Sequence, residues 1–318
     1  MSISPGIFVA KNNNQQVIVS SDTNNLHFIG KAYLNSLVEA SSTNGGFRRW
    51  SYRIVCSKPP MPFLSMPVTG TDNMYGVSAI RVISTNNWEI DVITSGTYGN
   101  DSGYAPEVYI FADPTATTTT TEPNGLLVFK DNGSISFDSR KEPLNIVGGT
   151  SAQPPYNPIN SPPTGLNARN CSSGKDGFKA TNYSYITSLS NQGAKPIFFY
   201  PSNCQSEREA TFYDQTSNCL WDQSDGYGGC LWYREIRKWN STYWAYYRSG
   251  IAISNTNLYC GWIVVRADCA EQTVAYDEGW LGFNWNSVAR TGGIPPPANS
   301  NVNIRNDTIL VANGSMYD

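Results

Sequence analysis

Seven aromatic side chains crowd sixteen consecutive positions: Trp232, Tyr233, Trp239, Tyr243, Trp244, Tyr246 and Tyr247. Aromatic faces stack on the C–H surfaces of sugars, and Tyr and Trp dominate protein interfaces. Arg234, Arg237, Lys238 and Arg248 lie among them and can pair with acidic neighbours or with anionic glycans. On a strand, odd and even positions face opposite ways, so one core cannot take all seven rings. Three readings stay open: the core of a C-terminal sheet, a subunit interface, or a receptor-binding surface.

Other chemistry is sparse. A Ser/His/Asp triad or a Cys/His pair would have to use His27, the only histidine. It sits in the alternation Leu26-His27-Phe28, which reads as a strand with His27 turned to solvent. Glycoside hydrolysis needs two carboxylates about 5–10 Å apart. Glu207, Glu209, Asp222, Asp225, Asp277 and Glu278 are available, and their neighbourhoods read as solvated surface. Asp222 and Asp225 before Gly226 lack the further oxygens of a calcium loop. There is no phosphate-binding or dinucleotide glycine motif, so no cofactor is expected. The seven cysteines contain no Cys-x-x-Cys pair, so no zinc site is expected either. They read as free, mostly buried thiols; Cys219–Cys230 and Cys260–Cys269 are the alternative bridges closest in sequence.

The elements that must position these residues are strands. Charged residues make up only 15% of the 318, while β-branched and aromatic residues abound. A net charge of −3 without a basic cluster gives no reason to bind nucleic acid. Apolar runs such as Ile263–Val265 are too short to cross a membrane. The start, "MSISP", has neither charge nor apolar core, so no export signal is expected.

One pattern occurs twice. Gly6–Gly30 and Gly125–Gly148 both open on Gly, place Val9 or Val128 and then Lys11 or Lys130, and pass through a polar turn. Both continue with an alternating strand and end on Leu26-x-Phe28-x-Gly30 or Leu144-x-Ile146-x-Gly148. The first copy is one residue longer. Period-two apolar residues around an Asn-rich turn specify a hairpin, and the last segment adds a strand, so each copy reads as a three-stranded meander. So small a piece is incomplete alone and needs a neighbour.

The expected fold is all-β. Residues 1–112 read as a sandwich-like unit beginning with the first meander, and 113–124 as a Thr-rich linker. Residues 125–165 hold the second meander and a Pro-rich arm, "PPYNPINSPP", and 166–318 form an aromatic- and Cys-rich β domain.

Several blocks resemble tail proteins of bacteriophages that infect Gram-negative bacteria. They are Glu107–Phe111, then "GLLVFKDNGSISFDS" from Gly125, "YWAYYRSGIAI" from Tyr243, "GWIVV" from Gly261, and "DTILVANGSMYD" at the end. The resemblance implies a virion component near the tail tip, hub or fibre attachment point, made in the host cytoplasm. It implies contacts with other tail proteins and with further copies of itself, as a trimer or ring. Binding of a host surface receptor or glycan is the alternative, and polysaccharide depolymerisation a second one. The motifs carry no catalytic residue, so a non-enzymatic protein is expected.

Overall fold

The computed structural model describes residues 9–11, 17–20, 25–41, 47–68, 70–71, 73–95, 105–117, 124–159, 180–190, 195–219, 233–279 and 298–318. The chain is all-β. Its strands are β1 (Val9–Lys11), β2 (Val17–Ser20), β3 (His27–Ser41), β4 (Phe47–Val55), β5 (Met61–Ser65), β6 (Tyr75–Ser84), β7 (Asn87–Thr94) and β8 (Glu107–Ala112). Then follow β9 (Leu127–Phe129), β10 (Ile135–Asp138), β11 (Ile146–Ala152), β12 (Tyr183–Ser188) and β13 (Pro196–Phe199). The last five are β14 (Gln205–Cys219), β15 (Tyr233–Ser254), β16 (Asn257–Gly279), β17 (Ala298–Asn303) and β18 (Asp307–Asn313).

Fourteen strands join one antiparallel sheet in the order β11-β18-β13-β5-β8-β3-β4-β7-β6-β15-β14-β17, with β16 beside β15 and β12 beside β16. Two-residue turns close β6–β7 and β15–β16. Each contains an asparagine in the left-handed region, Asn86 (φ 60°) and Asn255 (φ 53°), a conformation asparagine tolerates well. The sheet bends at β3. Residues 27–32 of that strand pair with β8 and 33–41 with β4, and Gly30, at a bulge in the first ladder, has φ 150°. Leu64, Val108, Phe198 and Val311 from one half thus share a core with Trp50, Tyr75, Val92 and Ile251 from the other.

Hydrogen bonding crosses each segment boundary drawn from the sequence. Strand β11 pairs with β18, and β13 pairs with β5. The C-terminal strands cover edges that the N-terminal strands would leave bare. The start of the Thr-rich stretch is also stitched down: Ala116 is buried, and the Ser57 N–H donates to its carbonyl at 3.0 Å. On the other face of β8, Tyr109 is buried with Phe63, Phe111 and Ile197 and donates to Asp318 at 2.6 Å, and Lys31 and Lys195 both pair with Glu107 and Asp318. Those partners, Lys31 foremost, hold the Asp318 carboxyl well below the usual carboxylate range.

The two repeats are hairpins, β1–β2 and β9–β10. The third strand does not continue either meander. It leaves for the large sheet, as β3 or β11, where longer partners supply more ladder hydrogen bonds. The extra residue of the first copy falls among residues 12–16, outside the described residues; on either side of them Lys11 pairs with Val17, whereas the Lys130 N–H donates to the Ser134 carbonyl across the second turn. The copies also dock on each other. The Leu144 N–H donates to the Leu26 carbonyl at 2.7 Å and the Phe28 N–H to Glu142 at 2.8 Å, with His27 opposite Pro143 between them. Leu26 therefore stands opposite Leu144, its own equivalent, and the local relation is two-fold.

His27 departs from the sequence expectation. It is fully buried under the second hairpin, 5.3 Å from the Phe137 ring between centroids. Nδ1 donates to the Asn25 carbonyl at 2.7 Å, and Nε2 accepts the Asp138 N–H at 3.3 Å. Those partners require the neutral ring, and burial lowers its pKa. Alternation places His27 opposite its apolar neighbours; the other copy then covers that side as well.

Cys56, Cys204 and Cys260 are free and buried, in keeping with the thiol reading. A Cys260–Cys269 bridge does not form. Both lie on β16, nine residues and so roughly 30 Å apart. Cys171 and Cys230 lie outside the described residues.

Candidate interaction face on the aromatic strand

Strands β14, β15 and β16 have 15, 22 and 23 residues. At about 3.3 Å per residue, β15 runs for roughly 70 Å. Its turn-proximal end is locked into the body. Ile251, Ala252 and Ile253 are buried, and Gly250 has no room for a side chain: a Cβ there would come within 2.9 Å of the Met74 Cβ.

Strand parity sorts the aromatic residues. Tyr243 and Tyr247 are buried, packed with Ala245, Trp262, Val264 and Cys204. The arm that follows β11 covers this face. Trp262 Nε1 donates to the Pro155 carbonyl at 2.7 Å, and Arg208 donates to Asn157 Oδ1 at 2.6 Å. The described part of the Pro-rich stretch, with Pro154, Pro155 and Pro158, is thus a packed arm; Pro162 and Pro163 lie outside the described residues. Burial pushes the Tyr247 hydroxyl far up and lowers the Arg208 pKa.

Trp244 and Tyr246 take the opposite face. Trp244 is half-buried and Tyr246 is 37% exposed. The register sets Glu209 and Asp268 on either side of Trp244, and Glu207 and Arg266 on either side of Tyr246. The Arg266 guanidinium lies 6.0 Å from the Tyr246 ring centroid, a cation–π distance. Arg248 follows on the same side of β15. This face combines two aromatic surfaces with carboxylates along β14 and a guanidinium on β16. It can stack a flat apolar surface and bind polar groups of either charge at its rim.

Of the seven aromatic residues singled out in the sequence, Trp232 lies outside the described residues. Tyr233 and Trp239 are placed on β15 by backbone register, opposite Gly279 and Thr273. The other four divide two and two. Arg266 and Glu207 were not singled out with the aromatic group, because only the three-strand register brings them beside Tyr246.

Among the described residues, Glu207 and Glu209 are the only two of the candidate carboxylates placed on β14, two positions and so about 7 Å apart. Glu207 and Glu209 share one side of β14, Asp277 and Glu278 lie in register with Glu235 and Arg234, and Asp222 and Asp225 fall outside the described residues. Among the described residues no three His, Cys, Asp or Glu side chains gather as a metal site. Burial pushes the Cys260 thiol up to about 12 and raises Cys204 as well, the reverse of an activated nucleophile.

Beyond the body, the outer flanks of β14 and β16 are mostly unpaired among the described residues. Strand β17 covers β14 only over Gln205–Glu209, and β12 covers β16 only over Asn257–Gly261. Among the described residues no strand pairs with the outer edge of 210–219 or 262–279. No protein-family model, curated protein or solved structure matches the chain.

Proposed function

We propose that the chain is a structural subunit of a bacteriophage tail, at its tip, hub or fibre attachment point, and that it acts by assembly. The observation that carries this reading is the run of three long strands whose outer edges, over 210–219 and 262–279, pair with no strand among the described residues. Unpaired N–H and C=O groups on an extended edge template the addition of another strand. Neighbouring tail subunits supply that strand, and the sequence blocks that resemble tail proteins add a second, independent support.

Electron microscopy of the intact particle tests the proposal. The chain is expected in the tail, with 210–219 and 262–279 lying against other polypeptides. A virion preparation that lacks the chain overturns it.

A second reading has its own observation. Trp244 and Tyr246 lie side by side on an open face, with Arg266 over one ring. That face suits a host glycan. Trp244→Ala would then abolish adhesion of tail particles to host cells while leaving the fold intact. Unchanged adhesion removes this reading and leaves the structural one standing.

A further inference from the structure

Strand β6 is an edge of a different kind. It leaves β15 after one bridge, Tyr75 to Ile251. At Val77 the chain around Pro201 wedges in, with Val77 accepting from the Ser202 N–H at 2.9 Å. From Ser78 to Ser84 the outer edge pairs with no strand among the described residues.

Its side chains are apolar and exposed: Ile80 39%, Val82 58% and Ile83 43%, with Val55 at 62% on the same end of the sheet. Free edges are ordinarily guarded by charge or proline. Residues 78–84 contain no proline and one charge, Arg81. That charge is already engaged. Arg81 Nη1 donates to Asp91 Oδ2 at 2.7 Å, and Nη2 to Asp91 Oδ1 at 3.2 Å and to Glu89. Arg53 reaches the same Glu89 at 3.3 Å. Two guanidiniums and two carboxylates leave the row without net charge.

We propose that Ser78–Ser84 pairs antiparallel with the same segment of a second copy of this chain, about a two-fold axis at Arg81. The edge is complementary to itself in that register. Ile80 meets the partner's Val82 in the regular stretch 79–82, and beyond it, where Ser78 and Ile83 are bulge positions against β7, Ala79 meets the partner's Ile83 and Ser78 the partner's Ser84. Apolar cross-strand pairs of this kind stabilise antiparallel ladders. Arg81 faces the partner's Arg81, which the carboxylates on both sides neutralise. An isologous contact closes on itself and yields a dimer in place of a fibre. The pairing rests on the edge strand alone and stands whether or not the tail reading holds.

Sedimentation of the purified chain beside Val82→Lys is the test. Val82 is exposed, so the variant folds, and it sets a lysine against the apolar pair. The wild type is expected at twice the mass of the variant, each multiple counted from the 35.0 kDa chain. The double variant Ser78→Cys/Ser84→Cys is expected to link into dimers on mild oxidation, and Val82→Lys added to it to stop the linking. Equal masses for wild type and Val82→Lys, or no difference in linking, overturn self-pairing. Amides of 78–84 that resist hydrogen exchange only after another protein is added also overturn it, in favour of a foreign strand.

Discussion

The two copies of the repeat share a hairpin and a closing strand yet have unequal surroundings. Position by position, His27 corresponds to Asn145, and Phe28 to Ile146. His27 is fully buried, and Phe28 packs against Tyr109, Phe111 and Tyr317 with ring centroids 6.1, 5.6 and 5.1 Å apart. Asn145 is half-buried, and Ile146 lies near the surface. The first copy supplies contacts to the core; the second supplies the lid over His27. A duplicated sequence therefore builds one asymmetric joint, and each copy completes much of what the other lacks. The neighbour that so small a piece needs is thus, in part, the other copy.

The asymmetry can be broken at its strongest point. Phe28→Ala removes three aromatic contacts and should cost about 3 kcal/mol, read from urea unfolding. A loss below about 1 kcal/mol would mean that the first copy is not anchored in the core.

Next in size, His27→Asn gives the first copy the residue of the second. It should cost about 2 kcal/mol, since the buried partners lose the neutral imidazole. The same variant tests the pH dependence. The folded pKa of His27 lies below the ordinary 6.5, so the unfolded chain takes up the proton first. The contribution of His27 is complete above pH 6.5 and is lost as pH falls below it. Asp138 and Lys141 face the ring. Asp138 is held ionised by Arg140, so it does not titrate in that window. Stability measured from pH 7 downward should fall more steeply in the wild type than in His27→Asn. Parallel curves would show that the ring is not held neutral.

The smallest effect sharpens the contrast. Ile146→Ala, at the position equivalent to Phe28, should change stability by less than about 1 kcal/mol in the same unfolding assay. A loss equal to that of Phe28→Ala would make the copies equivalent after all.

Much of this was legible in the chain. Alternating apolar residues around Asn turns announced the strands, and the doubled pattern announced matching hairpins. Parity along β15 announced that Tyr243 and Tyr247 would part from Trp244 and Tyr246. What parity does not carry is which set goes inside. Trp262, Cys204 and the arm at Pro155–Asn157 decided that, and they come from three distant stretches. The Cys260–Cys269 alternative failed for a related reason: nearness in sequence along one extended strand is distance in space.

By itself, the sequence determined the all-β character, the turns, the duplication and the two-sided aromatic strand. These are local properties, set by backbone sterics and by a side-chain period of two. Tertiary structure alone decided that His27 is buried, that β3 and β11 abandon their hairpins, and which edges stay bare. Those outcomes depend on which remote strand reaches an unpaired N–H and C=O first, and no window of neighbouring residues contains that information.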